Sequence, residues 1–374
     1  MFKPGAIVSH LTFRDKVFSL DIILIASILL LGIISCFAMY STDGGEFAYH
    51  TKSHIVRFFI FFLLFFVVSF FSSNFWYNSS TIFYLIVLVL LILVKYFGLT
   101  SSGSQRWLSL YFLNLQPSEL MKIGLILFLA KYYHKIPTTE VNKLEYLFQP
   151  LVALLAPVLL VVIQPDLGTS VLIAAGGIAV IWLAGVKMQF FAYLSIIFLS
   201  IAPVVISFLK PYQKSRILTF LDPSRDPLGA GYQITQSKIA IGSGGLFGKG
   251  FLNGSQSYLD YLPEKHTDFI FTLFSEEFGF FGSISILTLY MLITWRIVSI
   301  GNMVRSSFGK FYCYSFATAF FIYVAVNMGM VLGLIPIVGA PLPILSYGGS
   351  SMMAIMLGLG IAMSCGIHKD QAIG

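Results

Sequence analysis

Asp268 stands at the head of a long apolar run, in the string Leu262-Pro263-Glu264-Lys265-His266-Thr267-Asp268-Phe269-Ile270-Phe271. Glu264, Lys265 and His266 crowd the same entrance, and Glu276 and Glu277 follow eight and nine residues later. On a helix that spacing sets the two glutamates about 12 Å deeper. Carboxylates along a helix mouth are costly in lipid and must face protein or water. One held at a lipid–water boundary, tuned by partial burial and nearby cations, can act as a general base on a polar substrate carried by a lipid. The other reading is local: Thr267 or Asp268 caps the helix that follows.

Further polar residues interrupt apolar stretches. Glu119 and Lys122 lie three apart, on one face of a helix that Pro117-Ser118 would start. They form either a structural ion pair facing the bundle or a phosphate contact, Lys122 meeting the anion and Glu119 orienting it. Arg106 beside Trp107 suits an interfacial anchor, and equally an arginine that contacts a pyrophosphate. The run Gly242-Ser243-Gly244-Gly245-Leu246-Phe247-Gly248-Lys249-Gly250 lacks Walker spacing, because Gly250 follows Lys249. It reads as a tight, bent backbone exposing amides and Lys249, with anion binding as the alternative. Asn327 lies within a later apolar run, and the segment from Gly339 to Ser351, which holds Ser350, is rich in proline and glycine. That composition fits a broken helix lining a cavity, or close packing of small residues.

The elements that must position these groups are membrane helices. Of 374 residues, 57% are hydrophobic and 10% charged, against about 25% charged in soluble domains. Mean hydropathy is +0.87. The chain is therefore expected to be an all-α polytopic membrane protein, a single integral domain over 1–374. Its net charge of +7 does not form a basic stripe, so nucleic acid is not an expected partner. Cys36, Cys313 and Cys365 fall in apolar runs without metal spacing and read as packing residues. The first apolar run is too long for a cleaved signal and should stay as an anchor.

Ten spans are expected, near 20–40, 55–73, 80–98, 117–135, 147–163, 168–186, 189–209, 269–295, 311–335 and 345–366. Gln164-Pro165-Asp166-Leu167 makes a tight turn between the fifth and sixth. With the N-terminus inside, Lys3, Arg14, Lys16, Lys131, Lys135, Lys143, Lys187, Arg296, Arg305, Lys310 and Lys369 fall on the cytoplasmic side. Only Lys52, Arg57, Lys95 and Arg106 fall in short outer loops or at helix ends there, eleven against four, which sets both termini inside. The 210–268 segment then faces outward. Its apolar residues, among them Leu218, Tyr232, Ile234 and Ile241, suit packing on the membrane surface, with a short helix over 234–241. No transporter-like internal repeat stands out.

Several strings, in order, resemble the SEDS family of shape, elongation, division and sporulation proteins. They are Gln105-Arg106-Trp107, Gln116-Pro117-Ser118-Glu119-Leu120, Gln164-Pro165-Asp166-Leu167-Gly168-Thr169, Leu221-Asp222-Pro223 with Asp226-Pro227, Gly231-Tyr232-Gln233, Gln236-Ser237, the glycine run, Leu262 to Phe271, Glu276-Glu277-Phe278-Gly279 and Leu345 to Ser351. They cover about residues 105 to 351; the first hundred residues match in hydropathy alone. Gly248-Lys249-Gly250 followed by Gly254-Ser255-Gln256-Ser257 looks more like the elongation branch than the division branch, with serine at 255 where the family more often has threonine.

The resemblance implies a peptidoglycan glycosyltransferase of the bacterial cytoplasmic membrane that polymerises lipid II at the outer face. It implies a class B penicillin-binding protein and other elongation-complex proteins as partners, and Asp268 as the catalytic carboxylate. Asp268 would take the proton from the acceptor GlcNAc 4-hydroxyl as that oxygen attacks the donor MurNAc C1 and undecaprenyl pyrophosphate leaves. Arg106, Lys122, Arg216, Lys238, Lys249 and Lys265 are candidates to stabilise the pyrophosphate, with Glu119 and His266 beside the substrate and Trp107 a sugar or prenyl contact. Glu276, Glu277, Asn327 and Ser350 would support the site. A divalent cation, Mg2+ or Mn2+, could assist, although the sequence holds no dedicated metal motif. Two other readings fit the spans: a lipid II flippase, and a non-catalytic scaffold of the elongation complex.

Overall fold

The computed structural model describes residues 12–101, 104–110, 113–208, 211–226, 229–255 and 262–373. Lys3, Pro227, Gln256 and Ser257, named above in motifs and charge counts, lie outside them.

A short helix α1 (Phe13–Phe18) opens on a capping box between Thr12 and Asp15. Three long apolar helices follow: α2 (Ile22–Thr42), capped by Asp21, α3 (Tyr49–Phe70) and α4 (Ser73–Phe97). An antiparallel meander β1 (Leu99–Ser101), β2 (Ser104–Leu110) and β3 (Leu113–Leu115) then leads into α5 (Pro117–His134), with Pro117 in the first turn. The chain continues through α6 (Leu144–Ile163), α7 (Leu167–Leu183) and α8 (Met188–Phe208). The expected surface segment holds α9 (Pro211–Leu221) and α10 (Ala230–Ser243), the latter six residues longer than the 234–241 stretch read from its apolar positions. The last three helices are α11 (Ile270–Met303), α12 (Ser307–Val331) and α13 (Gly349–Ile367).

Each expected span coincides with a helix, and the fold is all-α apart from the meander. Among the described residues, seven helices are long and apolar enough to cross a membrane. The other three depart for visible reasons. α5 carries Glu119, Lys122 and Lys131, α7 has 17 residues, and α8 is apolar over Met188–Ile197. α13 is mostly buried and packs on α3, α5, α11 and α12, while α7 packs on α5, α6 and α12.

The eighth span is not the continuous helix that its hydropathy suggested. α11 breaks at Gly279, where φ is +64° and ψ is −158°, a conformation open almost only to glycine. A broken helix at membrane depth must have its freed backbone groups satisfied by protein. The glycine run after α10 does this. Phe280 N donates to Gly245 O at 2.9 Å and Phe281 N to Leu246 O at 3.3 Å. In return, Lys249 N donates to Glu276 O and Gly250 N to Glu277 O, each at 3.0 Å. The bent backbone expected of that run is thus stitched into the break, and two of its amides are spent on helix carbonyls.

Candidate active site

Asp268 lies just before α11, whose N-cap is Phe269 with no side-chain cap hydrogen bond. Thr267 Oγ1 instead donates to Glu264 Oε2 at 2.8 Å. Neither residue therefore caps the helix, and the Asp268 carboxylate does not serve that local purpose. The backbone on either side of it is gripped by the Gly339–Ser351 segment. Ser346 Oγ donates to Thr267 O at 2.6 Å, and Tyr347 N donates to His266 O at 2.8 Å. The buried Asn327 amide donates to Asp268 O at 3.0 Å and to Ala340 O at 2.6 Å. Gly339 completes this wall: a Cβ built on it would stand 3.6 Å from Asp268 Oδ2.

Arginines from two distant parts of the chain bring positive charge within electrostatic range of the carboxylate. Arg106, on β2, donates from Nη2 to Pro165 O at 2.7 Å and places Nε 3.4 Å from Asp166 Oδ2. Asp166 is itself fixed as the N-cap of α7 through Thr169 N at 3.2 Å, so the Gln-Pro-Asp turn aims Arg106. Arg216, on α9, donates from Nη1 to Ile337 O at 3.2 Å. Asp268 keeps some access to solvent although protein surrounds it closely. That enclosure pushes its carboxyl from the ordinary 3.8 up to about 7; Glu264 and Asp166 add to the rise, and Arg216 and Arg106 oppose it. Such a group can accept a proton near neutral pH.

A second cluster lies deeper. Lys122 Nζ is 2.9 Å from Glu119 and 4.0 Å above the Tyr323 ring, and Glu119 is buried. Asn327, one turn further along α12 than Tyr323, donates to Asp268 O at 3.0 Å, so this pair adjoins the Asp268 site. Ser350 Oγ accepts from Gln116 N at 3.0 Å and donates to Asn114 O at 2.7 Å, tying α13 to the turn that starts α5.

Other expected site residues are placed elsewhere. Lys249 Nζ is 2.6 Å from Glu276 Oε1, an oxygen that also accepts from Ser255 N at 3.0 Å and Ser255 Oγ at 2.8 Å. The buried Glu277 accepts from Ser41 Oγ. These groups hold the break in α11 rather than extending the Asp268 cluster. Lys238 is exposed on α10 beside Gly333. Trp107 is half-buried on β2, paired through its backbone with Leu99, and alternation along the strand turns it away from the Arg106 face. Lys265 is half-buried three residues before Asp268.

His266 turns toward α2 and α3. Its Nδ1 lies 3.0 Å from Thr42 Oγ1, and its ring stacks on His50 with centroids 4.2 Å apart. Together with Asp43 these histidines are the one set of side chains, among the described residues, able to converge on a metal ion. Asp43 and His50 went unnoticed in the sequence because they precede His266 by more than 200 residues, in the part of the chain where no motif was found. Tyr323 was likewise silent, and Gly339 was legible only as the start of the proline- and glycine-rich segment; its φ of +72° beside Asp268 is seen in the fold alone.

A family model described as cell cycle protein, covering the FtsW, RodA and SpoVE group, matches residues 16–371. The chain belongs to this SEDS family. Peptidoglycan glycosyltransferase MrdB of Escherichia coli K12 is 44% identical over 279 residues, 74% of this SEDS chain and 75% of its own. Stage V sporulation protein E of Bacillus subtilis is 38% identical over 274 residues, 73% of this chain and 74% of that protein. Among solved structures, the rod shape determining protein RodA of Thermus thermophilus superposes with a TM-score of 0.72 at 26% identity, over 94% of this chain and 98% of that one. A chain from a peptidoglycan synthase complex, solved to explain how polymerization and crosslinking are coordinated, superposes with a TM-score of 0.79 at 29% identity, covering 94% and 98%. Like them, this SEDS chain is a multi-pass membrane protein.

Proposed function

We propose that this protein is a RodA-type peptidoglycan glycosyltransferase that polymerises lipid II, with Asp268 as general base. The observation that carries the reading is positional. In a chain 44% identical to a peptidoglycan glycosyltransferase, a carboxylate without a capping duty sits at a helix mouth, flanked by the field of two arginines. Asp268 takes the proton of the acceptor GlcNAc 4-hydroxyl, and the oxygen forms its bond to the donor MurNAc C1. The bond from C1 to the pyrophosphate oxygen breaks, and its electron pair leaves with undecaprenyl pyrophosphate. Arg106 and Arg216 are positioned to meet negative charge beside Asp268, where the leaving group gathers it.

The charge asymmetry of the loops supports an orientation with both termini in the cytoplasm and the Asp268 mouth outward. The 210–268 segment then roofs the site. The likeness to a chain from a synthase complex that also crosslinks supports a class B penicillin-binding protein as partner within the elongation machinery.

The test is chain formation by purified Asp268→Asn on lipid II, with folding checked by thermal unfolding in detergent. A folded variant that makes no glycan chains is expected; a folded variant that still polymerises removes Asp268 from the role of base. Lipid translocation measured on the same proteoliposomes separates polymerase from flippase.

A further inference from the structure

The turn between α2 and α3 approaches the loop that carries Asp268, and it does so through metal-ligating side chains. Asp43 ends α2, His50 lies in the first turn of α3, and His266 lies two residues before Asp268. Asp43 Oδ1 is 3.4 Å from His50 Nδ1 and 3.8 Å from His266 Nδ1, and the three ligand atoms all fall within 4.8 Å of one another. The second carboxylate oxygen is already committed: Asp43 Oδ2 accepts from Thr51 N at 2.9 Å and from Thr51 Oγ1 at 2.6 Å. The carboxylate is thereby locked with Oδ1 toward both imidazoles, as outer hydrogen bonds orient the ligands of metal sites.

We propose that Asp43, His50 and His266 form a site for one divalent transition-metal ion, of the Zn2+ kind, that clamps the Asp268 loop to the α2–α3 turn. Bonds of about 2.1 Å in a tetrahedral shell put neighbouring ligand atoms about 3.4 Å apart, so two of the three edges are nearly formed. Two imidazoles and one carboxylate suit a borderline transition ion, whereas Mg2+ favours an all-oxygen octahedral shell. Two changes are required: His266 Nδ1 must give up its proton and its 3.0 Å contact with Thr42 Oγ1, whose own proton goes to Met39 O, and the two imidazoles must part. The His50 and His266 rings stack at an interplanar angle of 15°, so their lone pairs run side by side, and an ion must splay them until these converge. His50 can supply that motion, since its side chain is 42% exposed and meets Tyr347 and Tyr49 edge-on, at 5.2 and 5.7 Å. Bound there, the ion joins the α2–α3 turn to a loop more than 200 residues later and fixes the chain immediately before Asp268.

The test uses the intact protein in detergent without a polyhistidine tag, titrated with Co2+ as a spectroscopic probe. One Co2+ per chain, with the visible absorption of a low-coordinate ion, displaced by Zn2+ and not by Mg2+, is the expected result. His50→Ala should bind about tenfold or more weakly, while unfolding in chelator at the temperature of the parent. X-ray absorption on the Zn2+-loaded parent should count two imidazoles, and this decides the matter if the variant does not fold. Absence of the Co2+ bands, an imidazole count other than two, or unchanged affinity in folded His50→Ala each overturns the site.

Discussion

The side-chain amide of Asn327 donates to the backbone carbonyl of Asp268 at 3.0 Å and to that of Ala340 at 2.6 Å. One buried group on α12 thus fixes the distance between the proposed base and the glycine-proline segment that walls it. Removing the donor strands two carbonyls, at about 1–3 kcal/mol for each buried orphan. Asn327→Leu and Asn327→Asp should both unfold at lower temperature and lose turnover more than substrate affinity. The aspartate variant separates donor from shape, because an ionised carboxylate only accepts. Full turnover in Asn327→Asp would contradict the positioning role.

Gly339 has φ of +72° and lies against the Asp268 carboxylate, where a Cβ would sit 3.6 Å from Oδ2. That contact is ordinary in distance, so steric exclusion of alanine is not the issue. Two other costs are: about 1–2 kcal/mol for the left-handed backbone, and a methyl group placed where a sugar hydroxyl would approach Oδ2. Gly339→Ala is expected to fold with a modest loss of thermal stability and a larger loss of polymerisation rate. Initial rates on lipid II compared with the unfolding midpoint check this, and a rate that falls no further than stability does would leave Gly339 a purely structural glycine.

Arg216 reaches the site from α9 and bonds a neutral carbonyl, Ile337 O, at 3.2 Å, whereas Arg106 bonds Pro165 O and also faces the buried carboxylate of Asp166. The two substitutions should therefore differ. Arg216→Gln is expected to lower single-turnover chain formation about a hundredfold, the scale seen when one donor to developing charge is lost, with little change in stability. Arg106→Gln should lose both, because Asp166 is buried and would be left beside a neutral partner. Equal, small effects on rate in both variants would move the pyrophosphate away from these arginines.

Hydropathy was enough to read the helices, since lipid leaves a long chain few ways to satisfy its backbone. Ordered polar strings brought Asp268, Arg106 and Glu119 to notice, and polar residues inside apolar runs brought Lys122 and Asn327. What stayed hidden needed three-dimensional pairing. A glycine at 279 inside an apolar stretch looks like any packing residue until the run at 245–250 is seen bonding to it. Lys249 looked like a free cation for the same reason, its partner Glu276 lying 27 residues on. Asp43 and His50 occupy a turn whose composition is unremarked, and only the approach of His266 gives them a purpose.

The joint between Gly279 and the glycine run gives the sharpest test of the fold. At Gly279 any side chain meets φ of +64° with ψ of −158°, a strain of about 1–3 kcal/mol. A Cβ there would also collide with Gly248 N and stand 2.8 Å from Leu246 C and O. None of these atoms can withdraw alone, because Phe280 N to Gly245 O at 2.9 Å and Gly250 N to Glu277 O at 3.0 Å hold the two strands of backbone together. Gly279→Ala should therefore fail to give monodisperse protein, or melt far below the parent. Gly242→Ala, in the same run but with nothing within 4 Å of its Cβ, lies inside α10 and should be neutral or slightly stabilising. Comparing the two by size-exclusion profile and thermal unfolding isolates the joint from the general cost of altering a glycine, and a Gly279→Ala protein as stable as Gly242→Ala would mean that the break in α11 is not built as described.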